Sequence, residues 1–154
     1  MITVGYCSVA VKRTGSDKWE QIMKFKKNLF TNAGRDLAHN QMYINTSAGT
    51  RGAGFIAVSA ETTAPAAGDT TLAGEIASGG LSRADAVTKT HTPGSNTSLV
   101  EHTFTASAGH TAVHKSGLFN ASSGVTLAHA ANFSSDVTLA TNDQLKVSWT
   151  LTLG

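Results

Sequence analysis

His110 and His114 stand four residues apart, the spacing that puts two imidazoles on one helix face and lets a metalloprotease hold zinc. The residues around them, from Thr111 to Phe119, read as a strand instead. In a strand the two rings share a face but lie ~13 Å apart at ~3.3 Å per residue, too far for one ion. The glutamate that would follow His110 in such a protease is missing. His102, His110 and His114 therefore read as polar strand residues. The serines offer no Gly-x-Ser-x-Gly turn, and the ten acids show no local pairing that favours glycoside cleavage. Gly49-Thr50-Arg51-Gly52-Ala53-Gly54 has the glycines of a nucleotide loop but no Lys-Ser/Thr after them. The single cysteine, Cys7, excludes an internal disulfide framework and a thiolate zinc site. The expectation is a non-enzymatic protein with no cofactor, no metal and no catalytic residue.

The charged residues offer a different chemistry. The net charge is only +2, but Lys12, Arg13, Lys18, Lys24, Lys26, Lys27 and Arg35 all fall in residues 1–36, against Asp17, Glu20 and Asp36. The rest of the chain is slightly acidic. Cations gathered in one segment suit docking onto an acidic partner surface, and these seven are the candidate docking residues; a solvated hairpin face is the plainer alternative. Trp19 and Phe25 lie beside Lys18, Lys24 and Lys26, as a nucleic-acid surface would need. On a two-faced strand the aromatics are expected to turn into the core and the lysines outward, so direct nucleic-acid binding is not expected.

The elements that must carry these residues are mostly strands. Charged residues make up 14% of the chain, well below the ~25% of ordinary domains, and Ala, Thr, Gly and Ser account for 73 of 154 residues. No run of about 18 apolar residues could cross a membrane, and Met1 to Cys7 lacks the form of a secretory leader. Residues 2–12 alternate, with Ile2, Val4 and Tyr6 on one side and Val9 and Val11 on the other after a slip at Ser8. A turn at 13–17 leads to a second strand, Trp19 to Lys27. Thr31 or Asn32 caps a helix over 32–43. Further strands are expected at Phe55–Ser59, Leu81–Thr90, Thr97–Ala106, Thr111–Phe119, Gly124–Phe133 and Gln144–Leu153, with one helical turn near Thr71–Ile76. The last strand alternates strictly, Leu145, Val147, Trp149, Leu151 and Leu153 against Lys146, Ser148, Thr150 and Thr152. The expected fold is mainly β, an antiparallel β-sandwich of jelly-roll or Ig-like type, with a basic N-terminal β-hairpin or arm at 1–30 and the sandwich body at 31–154.

Several ordered segments carry a resemblance. Asn28-Leu29-Phe30-Thr31-Asn32-Ala33-Gly34-Arg35-Asp36 resembles the N-x-x-T-N-A-G-x-D helix start of small tailed-phage structural proteins. Gly54 to Val58, Thr62 to Leu72 with Glu75, the pair Arg83-Ala84, and Gly117-Leu118-Phe119-Asn120-Ala121-Ser122-Ser123-Gly124 are similar to later segments of that family, in the same order. Thr141 to Thr150 resembles its C-terminal x-G-D-x-L-x-V-x-W-x strand. Ser59-Ala60-Glu61 stands where the family often has Gly-Thr-Gly, and residues 1–26 have no counterpart in it. The resemblance implies a virion protein assembled in the host cytoplasm, with the major capsid protein or tail proteins as partners and homo-oligomerisation as a trimer or dimer. A capsid decoration (cement) protein is the preferred expectation, its hairpin lying on an acidic shell subunit or adding a strand to a neighbour's sheet. A tail-fibre, tail-tip or adaptor component is the alternative, and a carbohydrate-binding module the third.

Overall fold

A computed structural model describes residues 3–34, 52–93, 95–124 and 126–153. Among the described residues, ten strands form two antiparallel five-stranded sheets packed as a β-sandwich. They are β1 (Thr3–Lys12), β2 (Trp19–Lys27), β3 (Leu29–Phe30), β4 (Phe55–Ser59), β5 (Ala84–Asp85), β6 (Thr88–His91), β7 (Thr97–Thr105), β8 (His110–Phe119), β9 (Leu127–Leu139) and β10 (Gln144–Leu153). The first sheet has the order β2-β1-β10-β7-β6 and the second β3-β9-β8-β4-β5.

Period-two alternation builds the interface between the sheets. Cys7, Val9 and Val11 of β1 and Leu145, Val147 and Trp149 of β10 are buried, as are Val100 and Phe104 of β7. They meet Ile56 and Val58 of β4, Val113 and Leu118 of β8, and Phe133, Val137 and Leu139 of β9 in one cluster. Tyr6 falls on the opposite face of β1 from Cys7 and is 37% exposed.

The second sheet is also covered on its outer face. Ala57, Phe119, Leu127 and Ala130 form a smaller cluster closed by Leu72 from the loop between β4 and β5. Burial on both faces explains why 56–59 and 115–119 are buried without alternation. The loop is pinned by Ile76 N–H to Val58 O (2.9 Å) and Leu127 N–H to Thr70 O (3.1 Å). Arg83 clamps it: the guanidinium donates to both Glu75 carboxylate oxygens at 2.9 and 2.6 Å and lies 3.5 Å from the Phe119 ring centroid.

Several expected boundaries move. The strand expected over Leu81–Thr90 divides into β5 and β6, which belong to different sheets; Ala86 is buried, and its N–H donates to Gly54 O at 2.9 Å where the chain crosses. β9 runs on to Leu139, beyond the expected end at Phe133. Around Thr71–Ile76 there is no helical turn but a hydrogen-bonded turn, Glu75 N–H to Leu72 O, and a single bridge from Glu75 to Ser59. The expected helix opens at 32–34, with Thr31 Oγ1 accepting Gly34 N–H at 3.0 Å in the capping arrangement; residues 35–43 lie outside the described residues. The β1–β2 hairpin does not stand apart from the body. β1 pairs with β10 over ten residues, Thr3 with Leu153 through Lys12 with Gln144, so only β2 is an edge.

Candidate functional site: the β1–β2 hairpin

The hairpin turn is fixed by one buried carboxylate. Asp143, in the turn before β10, accepts from Thr14 N–H (2.8 Å) and Thr14 Oγ1 (3.2 Å) on one oxygen, and from Arg13 Nη1 and Ala140 N–H (3.0 Å each) on the other. These donors, the Ala140 N–H foremost, hold its carboxyl at about 2, against the opposing effect of burial. Arg13 also donates to Thr138 O, so this predicted docking cation is spent on structure.

β2 is irregular. Against β1, its register passes from Lys26↔Cys7 to Met23↔Val9 to Gln21↔Ala10, which leaves extra residues at Lys24-Phe25 and at Ile22. These are two β-bulges in one edge strand. The Gln21 amide serves the disrupted ladder, donating to Val9 O (2.8 Å) and Met23 O (2.5 Å). Phe25 sits at φ 50°, a conformation costing a bulky residue about 1–3 kcal/mol.

The lysines of this strand face outward as expected, but the aromatics do not turn into the core. Only Met23 is buried; Trp19 is 38% and Phe25 57% exposed. With Tyr6, they are three of the four exposed large hydrophobic residues among those described, and all three lie on the hairpin. Lys12 and Lys27 join them: Lys12 pairs with Trp19 and Lys27 with Tyr6. Lys24 Nζ lies 5.9 Å from the Phe25 ring centroid. Lys26 is exposed and sits opposite Cys7, whose thiol is pushed up by burial. Lys18 is exposed at the turn. Arg35 lies outside the described residues.

A further cation was not singled out by the sequence. Lys146 of β10 lies 4.6 Å from the Trp19 ring centroid and 3.9 Å from a Glu101 oxygen. Its cross-strand neighbour on β1 is Ala10, whose methyl leaves room for the lysine to cross β1 toward β2. The signal was present in the polar positions of β10, but a partner two strands away needs the sheet order.

The histidines serve separate places. His110 Nε2 meets Gly79 O at 3.0 Å and His114 Nδ1 meets Asp136. Burial lowers the pKa of His102, which packs edge-on against Phe104 with ring centroids 4.5 Å apart. Among the described residues, no three His, Cys, Asp or Glu side chains gather where they could hold a metal. No family model, no curated protein and no solved structure matches the chain.

Proposed function

We propose that the protein is a non-enzymatic structural component of a tailed-phage virion, a decoration (cement) protein that docks on an acidic subunit surface through the β1–β2 hairpin. The observation that carries this is the concentration of exposed aromatics, Tyr6, Trp19 and Phe25, among Lys12, Lys18, Lys24, Lys26 and Lys27 on one edge. Aromatics fixed on a sheet offer contact area at little entropic cost, and cations around them steer association with an acidic partner. The ordered resemblance of residues 27–154 to phage structural proteins supports the same reading. The two bulges and the lysines discourage strand addition at β2, so docking is by side chains.

Deleting residues 1–26 would remove an interior strand, so point variants are the better probe. Lys24→Glu with Lys27→Glu should leave the fold intact and weaken attachment to isolated heads at least tenfold, with salt mimicking the effect on wild type. Undiminished attachment would remove the hairpin from the proposal. Exposed Trp19 and Tyr6 also favour a second reading, a tail component that contacts host glycans, because flat exposed rings stack on sugars. Gold labelling of particles separates head from tail, and a glycan array separates sugar from protein contact.

A further inference from the structure

Lys115 of β8 stands between Ser59 of β4 and Asn132 of β9 in the second sheet. Residues directly opposed across strands share a face, here the outer one, over which the loop from Glu61 to Ala73 folds. Two hydrogen bonds fasten the loop to this row. Ser59 Oγ donates to Ala73 O at 2.5 Å, and Asn132 Nδ2 donates to Thr62 O at 3.0 Å. Beneath the loop Lys115 is only 4% exposed.

The row brings together an amine, a carboxamide and a carboxylate. Glu61 is the electrostatic partner of Lys115. Its Oε1 accepts from Thr62 N–H (2.9 Å), Thr63 N–H (3.1 Å) and Thr63 Oγ1 (3.0 Å), bonds in which Oε2 takes no part. Asn132 Oδ1 is buried and has no hydrogen-bond partner among the described residues, a costly state for an amide oxygen. Directly opposed residues have Cβ atoms ~4.5–5.5 Å apart, a span that the lysine stem covers on its way to Asn132 Cγ.

We propose that Lys115 and Asn132 join in an intramolecular isopeptide bond, with Glu61 as the proton carrier. Glu61 Oε2 takes a proton from the ammonium, and the freed lone pair on Nζ attacks Asn132 Cγ. The Nζ–Cγ bond forms and the Cγ–Nδ2 bond breaks. Nζ gives up two protons in all, both passed by way of Glu61 to the leaving nitrogen, which departs as ammonium; nothing is oxidised or reduced. A cavity of about 240 Å³ beside Lys115 receives the ammonium, and the carboxylates of Glu61 and Asp69 on its border attract that cation. The loop donors that hold the Glu61 carboxyl low also make it a weak base, so the bond forms slowly and once per chain. It clamps β8 to β9 beside an interrupted ladder, where the register passes from Lys115↔Asn132 to Val113↔Val137. The site lies on the sheet opposite the docking hairpin and does not depend on the virion reading.

The test is the intact mass of the full chain, followed by mass spectrometry during prolonged incubation at neutral pH. The wild type should become lighter by one ammonia, about 17 Da, and a protease digest should yield a branched peptide joining Lys115 to Asn132. Lys115→Arg and Asn132→Ala should keep the mass of their sequences, and Glu61→Gln should slow the loss at least tenfold. A wild type that stays at its sequence mass would overturn the proposal whatever the variants do. A loss that persists in Lys115→Arg, with no branched peptide, would mark an asparagine succinimide instead and overturn it equally. An unchanged rate in Glu61→Gln would remove Glu61 as the proton carrier and with it the mechanism.

Discussion

Acidification should weaken the fold through one histidine in a determined pH window. His129 of β9 is buried, stacked on Phe30 with ring centroids 4.6 Å apart and 6.0 Å from the Trp149 ring. Its tautomer is set by Asn28. The Asn28 Oδ1 accepts Gly5 N–H at 2.8 Å, which turns the amide nitrogen toward His129 Nδ1. That ring nitrogen must therefore accept, and a proton on it would face another donor. Burial lowers the His129 pKa from 6.5 to about 4. The unfolded chain takes up the proton at the ordinary histidine value and the folded chain only at about 4, so stability is complete above pH 6.5 and falls as pH drops toward 4. A displacement of this size corresponds to about 3 kcal/mol, a large share of a typical domain's 5–15 kcal/mol, by an order-of-magnitude comparison. The lowered carboxylates act lower on the scale: Asp143 loses its stabilising effect only as pH falls below 3.8, and Glu61, whose carboxyl is held down by the Thr62 and Thr63 donors, only as pH falls below 4.5. Urea unfolding at pH 7.5 and 4.5 reads the difference. His129→Gln, neutral throughout, should lose most of the pH dependence, whereas His102→Gln should remove a smaller part. A pH dependence unchanged in folded His129→Gln would refute the assignment.

Other outcomes follow from single contacts. Asp143→Ala, which strips the partner from four donors at the hairpin turn, should cost about 3 kcal/mol in denaturant unfolding. In wild type its contribution is present above pH 3.8 and lost as pH falls through about 2. Arg83→Lys, losing the two-pronged grip on Glu75 and the stacking on Phe119, should cost about 1–2 kcal/mol and show earlier proteolysis within 60–83. Phe25→Gly should raise stability by about 1 kcal/mol, because glycine accepts the φ of 50°, while lowering attachment to the partner.

The strands that alternate against a single covered face were the most legible. β10 ran from Gln144 to Leu153 as its pattern required, because Leu145, Val147 and Trp149 bury and Lys146 and Ser148 do not. β2 was located but misfaced: Trp19, Met23 and Phe25 imply a simple period of two, and bulges add residues without leaving a compositional mark. Leu81–Thr90 looked continuous since apolar residues recur along it, yet Leu81 and Ala86 serve the core at a crossing between sheets. In the loop cavity, Lys115 gave no warning, because an isolated lysine in a strand ordinarily faces water. Its burial depends on a loop 40–55 residues earlier folding over it.

The pairing of β1 with β10 sets an order on synthesis. Thr3 meets Leu153, so β1 has its inner neighbour only when residues 144–153, made well after it, have left the ribosome. Until then β1 can hold β2 on one side and keeps an open row of backbone donors and acceptors on the other, beside buried-type residues Cys7, Val9 and Val11. Closure of the first sheet is therefore a late, long-range event. A stall or truncation inside β10 would leave β1 without this pairing and the chain open to association through that strand.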